Sequence, residues 1–201
     1  MRLAKLLYKC IAFDLGNICN TSPFCSEKRR NMIFGMSLAT YTLLHVLISL
    51  VGIVSGLIVL FGLLSGKWLN GWTALFLVTT VATSVTGYGF PFVHLLPSHI
   101  VGIISLVALA VAILARYAFH LDGAWRRTYV ISAAIALYLN VFVLVAQSFM
   151  KVPALKALAP TQKEPPFLIA QLVVMTLFIV LTVFAAKRFH EEPASPRARA
   201  A

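Results

Sequence analysis

Between residues 38 and 186 the chain carries five apolar runs, each near the roughly twenty residues that an α-helix needs to cross a bilayer. No other feature constrains the fold as much. The runs cover residues 38–64, 72–92, 100–119, 128–150 and 167–186, and Arg116 is the one Asp, Glu, Lys or Arg inside them. Strict alternation of apolar and polar residues is absent, which argues against a β-barrel. In lipid each backbone N–H and C=O must be paired within the structure, so helices are what remains. The expected fold is an all-α polytopic transmembrane helical bundle of about five spans.

Composition closes off the soluble alternative. Hydrophobic residues make up 60% of the 201 residues and charged residues 11%, with a mean hydropathy of +0.91. Soluble domains carry about 25% charged residues. The net charge of +11 would suggest nucleic acid in a soluble protein. Here the basic residues lie almost wholly outside the apolar runs, so they read as loop charges that orient a membrane protein and meet anionic headgroups. Expected partners are therefore the lipid bilayer, and a membrane-protein partner or a second copy of the chain, but no nucleic acid.

The chain divides into three parts: a basic segment over residues 1–35, a five-helix transmembrane domain over 36–187, and a disordered charged tail over 188–201. The first part holds Cys10, Cys19 and Cys25. Their spacings match neither a zinc pattern nor a haem-attachment site, and an odd count argues against a complete disulfide framework. Met36 opens directly into the first run, which suggests a start there and a mis-assigned upstream segment.

Orientation depends on that start. Lys and Arg counts over the whole chain nearly tie, at 9 against 8 between the two faces. Counted from residue 36, an outside N-terminus leaves 8 basic residues inside and 3 outside. The positive-inside rule then favours N-terminus out and C-terminus in.

Intramembrane polar residues are costly, so each calls for a reason. His45 lies two turns into the first run, and His94 and His99 flank the gap between the second and third. Gln147 lies near the end of the fourth and Gln171 near the start of the fifth. Alternating crossings bring all five towards one leaflet, the periplasmic one in the preferred orientation. Asn140 and Gln147 are seven residues apart and share a helix face, so Asn140, Gln147 and Gln171 are the expected pocket residues. His45, His94 and His99 are candidate cofactor ligands, for haem b or a metal. The alternative is hydrogen bonding for His45 and interfacial solvation for the other two. No metal ligand set is evident from the spacing.

Gly52, Gly56, Gly62 and Gly66 form two Gly-x-x-x-Gly pairs, a spacing that lets helix backbones approach closely. Thr79, Thr83, Thr86 and Gly87 make a second small face. The pairs serve either a homodimer seam or packing inside one subunit. Trp68, Trp72, Trp125, Tyr88, Tyr117 and Tyr129 sit near span ends, as an interfacial belt does. There is no Gly-rich phosphate loop, no paired carboxylate and no Ser-His-Asp set. The reading is of a non-enzymatic membrane protein with a polar pocket near one leaflet. Its alternatives are a redox module, a small-molecule transporter and an assembly subunit.

The stretch from "MSLATYTLLHVLISLVGIVSGLIVLFGLLSGKWLNGWTALFLVTTVATSVTGYGFPF" through "HLLPSHIVGIISLVALAVAILARYAFHLDGAWRR" to "APTQKEPPFLIAQLVV" resembles a group of small uncharacterised proteobacterial multi-span membrane proteins. The resemblance implies a bacterial inner-membrane location and a start near Met36, and carries no activity. A fainter similarity, a span-one histidine followed by glycines and a basic "WRR" loop, is to cytochrome b561-like membrane proteins. This chain lacks their matched histidine pairs on facing spans.

Overall fold

The structure, a computed structural model, describes residues 32–33, 36–90 and 97–189. Helices account for most of them: α1 (Leu38–Leu64), α2 (Asn70–Gly87), α3 (Pro97–Ile113), α4 (Trp125–Lys151), α5 (Pro153–Leu158) and α6 (Pro165–Arg188). Two two-residue strands, β1 (Met32–Ile33) and β2 (Met36–Ser37), pair antiparallel before α1. His94, His190 and the three cysteines lie outside the described residues. The chain is an all-α helical bundle built for a membrane.

Among the described residues, four helical stretches are long and apolar enough to cross a bilayer: Leu38–Leu64, His99–Ala118, Trp125–Lys151 and Pro165–Arg188. Helix α2 is the fifth long one. It has 18 residues, about 27 Å at 1.5 Å per residue, and is the richest in threonine. The hydroxyls of Thr79, Thr83 and Thr86 donate to the carbonyls of Leu75, Thr79 and Ala82. That back-bonding removes part of the cost of placing hydroxyls among apolar helices. The second span was expected to run over 72–92. The helix instead begins at Asn70 and ends at Gly87, where Tyr88 and Gly89 close it with short-range bonds to Val85 and Thr86.

The ends follow from local chemistry. Ser37 caps α1 by accepting from the Thr40 amide. At its other end Lys67 N–H bonds the Gly62 carbonyl, and Gly66 N–H bonds Leu63. That is a Schellman closure, and Gly66 takes the left-handed φ of +65° that it requires. Helices α3, α5 and α6 each begin with proline, which lacks the amide hydrogen that a first helical turn leaves unpaired. The connection over 151–166 contains the short helix α5.

Helix α4 is the hub, touching α1, α3 and α6. Ala133, Ala134 and Ala136 are buried beside Tyr129, Val130 and Leu137, and the small side chains let neighbouring backbones approach. Helix α6 attaches by a narrow stripe. Gln171, Phe178 and Ala185 are its buried residues, spaced by seven as in a coiled-coil seam. The rest of α6 is bare, with Ile169, Val173 and Ile179 more than half exposed. In water so much apolar surface would drive aggregation; in lipid it is the solvated side of the bundle.

Candidate functional site: a polar seam between α1 and α2

Helices α1 and α2 run antiparallel, and their contact carries a ladder of polar groups. At its outer end the Tyr41 hydroxyl donates to the Thr86 carbonyl at 2.7 Å. One turn deeper, His45 Nδ1 lies 2.8 Å from Thr86 Oγ1. Deeper still, Ser49 Oγ donates to the His45 carbonyl and reaches Thr83 Oγ1 at 3.4 Å. The ladder then meets Gly52, and below it Gly56 ends it. A Cβ on Gly52 would lie 3.3–3.4 Å from Thr79 Oγ1, Thr80 Oγ1 and Asn140 Nδ2. A Cβ on Gly56 would lie 2.6 Å from Leu137 Cδ1 and 2.8 Å from the Phe76 ring. The seam thus runs from one membrane boundary inward and stops on a plug of Phe76 and Leu137.

The Thr86 hydroxyl fixes the state of His45. Its proton is committed to the Ala82 carbonyl at 2.7 Å, so towards the imidazole it acts as acceptor. Nδ1 therefore carries the hydrogen, and Nε2 keeps its lone pair. Phe90 stands edge-on to the His45 ring, with centroids 5.4 Å apart, and does the same to Tyr41 at 5.1 Å. Gly89 allows this closure, since a side chain there would collide with the Tyr41 hydroxyl.

The third helix supplies the neighbouring wall. Tyr88 donates to the His99 carbonyl at 3.0 Å and stacks on its ring at 5.8 Å. His99 is buried. Gly102 leaves room for the Tyr88 hydroxyl, and Ser84 of α2 reaches Ser105 of α3 at 3.3 Å. His45, Thr86, Tyr88 and His99 thus occupy one end of the bundle. His94 lies outside the described residues.

The expected pocket residues separate. Asn140 is half-buried, and its Nδ2 is enclosed without a hydrogen-bond partner beside Gly52. Gln171 is buried and donates to the Phe142 carbonyl at 3.2 Å, tying α6 to α4. Gln147 is exposed. A straight α-helix drifts by about 20° per heptad, and the half-buried Asn140 sits close to the border of the inward face, so a small turn takes Gln147 off it. Of the four glycines, Gly52 and Gly56 pack α1 against α2 and α4 within one chain. Gly62 lies under Leu69, and Gly66 closes the helix end. Tyr41, Ser49 and Thr80 are members of the seam that the sequence reading passed over. Their signal was the spacing of Tyr41, His45, Ser49 and Gly52, which repeats by four, four and three along α1.

Among the described residues, no group of three or more His, Cys, Asp or Glu side chains is placed to hold a metal ion. No family model, curated protein or solved structure matches the chain.

Proposed function

We propose that this chain is a bacterial inner-membrane protein that binds a small hydrogen-bonding molecule in the outer part of the α1–α2 seam, and that it acts by binding rather than by catalysis. In this reading the N-terminal end of α1 faces the periplasm and the end of α6 faces the cytoplasm. One observation carries the proposal. His45 Nδ1 lies 2.8 Å from the Thr86 hydroxyl, and the Nδ1–H tautomer that this pairing favours leaves an intramembrane nitrogen lone pair at the mouth of the polar seam. A polar side chain kept at this depth is costly unless it has a task. The lone pair accepts a hydrogen bond from a hydroxyl or amide donor entering from that leaflet. Asn140 Nδ2 and Thr80 Oγ1, both buried and unpartnered, offer donors further in.

The same lone pair favours a second reading, a redox module with haem b or a metal bound through His45. A ligating histidine commonly hands its other N–H to an acceptor, as His45 does to Thr86. One preparation separates the two. The full chain is purified in mild detergent, its absorption spectrum recorded and its metal content measured. A Soret band lost in His45→Ala supports the redox module and overturns binding by hydrogen bonding alone. A colourless, metal-free and stably folded protein removes the redox reading.

A further inference from the structure

The two Gly-x-x-x-Gly pairs could have served a second copy of the chain, but the fold uses them inside one subunit. Gly52 and Gly56 face α2 and α4, Gly62 lies under Leu69, and Gly66 closes a helix end. The helix left with an unclaimed face is α6. Of its apolar stretch 17% is buried, against 28–44% in the other three membrane-length stretches. The buried stripe of Gln171, Phe178 and Ala185 holds it to the bundle. At 3.6 residues per turn, a second stripe of Ile169, Leu172, Thr176, Ile179 and Val183 lies about 140° round the helix from the first.

That second stripe repeats by three and four, the heptad spacing of a helix–helix seam. Its a positions, Ile169, Thr176 and Val183, are all β-branched, and Leu172 stands at d. β-branched residues at a with leucine at d favour two parallel strands. The stripe is bare: Ile169, Leu172 and Ile179 are 55–59% exposed and Val183 47%. Apolar side chains alone would be as well placed in lipid, so the polar member of the stripe decides what covers it. Thr176 stands at the middle of the span, between Pro165 and Arg188. Six residues on, Thr182 returns its hydroxyl to the Phe178 carbonyl at 2.6 Å. The Thr176 hydroxyl is exposed and has no hydrogen-bond partner among the described residues. Lipid offers it none. A hydroxyl both donates and accepts, so at that depth its complement is the same hydroxyl on a second copy. Copies insert in one orientation, so their α6 helices meet in parallel.

We infer that the outer face of α6 is a homodimer interface, a parallel two-helix seam centred on a hydrogen bond between the two Thr176 side chains. The contact is isologous, about a twofold axis along the membrane normal. A single polar group at an a position fixes register and copy number in such a seam.

The full chain, with Cys10, Cys19 and Cys25 replaced by serine, is reconstituted in liposomes for energy transfer between labelled copies and, separately, for disulfide cross-linking. Leu172→Cys and Ile179→Cys should each cross-link to the same position on a second copy. Ile104→Cys, as far into α3 as Leu172 is into α6 and also exposed, should not. Thr176→Val should raise the dimer's Kd about three- to fifteenfold, and Thr176→Ser should leave it near that of the unsubstituted chain. Ile179→Trp places a wedge at an exposed position and should give monomers without unfolding the bundle. Monomers at every protein-to-lipid ratio would overturn the interface. So would cross-linking of Ile104→Cys as readily as Leu172→Cys, the mark of random collision, or a dimer indifferent to Thr176→Val.

Discussion

His45 Nδ1 lies 2.8 Å from Thr86 Oγ1, and that hydroxyl already gives its own proton to the Ala82 carbonyl. One threonine therefore sets the tautomer of an intramembrane histidine and joins α1 to α2. Thr86→Val keeps the side-chain shape and removes both roles. Side-chain hydrogen bonds inside membranes are worth about 0.6 kcal/mol on average, and up to about 1.7. Thr86→Val should cost stability in that range, measured by unfolding in mixed micelles. The ¹⁵N shifts of the His45 ring should move from a single Nδ1–H form to a mixture. An unchanged tautomer would show that something other than Thr86 holds the ring.

Gly56 and Gly52 rank differently as packing positions. A methyl group on Gly56 would meet Leu137 and Phe76 at 2.6–2.8 Å, whereas on Gly52 it would meet polar atoms at 3.3–3.4 Å. Gly56→Ala should therefore destabilise by about 1–3 kcal/mol, the usual cost of overpacking, and Gly52→Ala by less. Equal costs, read from thermal denaturation in detergent, would contradict the packing described for the α1–α2–α4 contact.

The α5–α6 connection should loosen in acid. The Glu164 carboxylate accepts from the Thr161 amide and hydroxyl and from the Lys163 amide. Desolvation, the largest single influence, raises its pKa, but these hydrogen bonds together outweigh it and hold the carboxyl below its ordinary value. A carboxyl lowered in the folded state contributes order above its unfolded pKa and loses it as pH falls through the folded one. Protection of the Thr161 and Lys163 amides, taken relative to their intrinsic exchange rates, should be present at neutral pH and fall as pH drops through the lowered pKa of the folded-state carboxyl. Glu164→Gln should remove that pH-dependent protection.

The overall fold was legible because lipid permits so few alternatives. Uncharged runs of membrane length become helices whatever their detailed order. The errors came where local chemistry outweighed hydropathy. Tyr88 and Gly89 close α2 before its apolar run ends, and Pro153 starts a short helix inside a polar connection. His45 could be found as an intramembrane polar residue, but its partner could not. Thr79, Thr83 and Thr86 form a face whose rotation only packing fixes. Gln147 illustrates the same gap, since heptad spacing places it with Asn140 while the helix leaves it exposed.

The bundle's alternating crossings place His45 and Arg116 at opposite membrane faces. Single cysteines at Ser37, Asp122 and Lys163, with Cys10, Cys19 and Cys25 replaced by serine, test this by labelling with a membrane-impermeant maleimide. All three chosen positions are exposed. In right-side-out vesicles Ser37→Cys and Lys163→Cys should react while Asp122→Cys is protected, and inverted vesicles should reverse the pattern. Labelling of Asp122→Cys from the same side as Lys163→Cys would contradict the account.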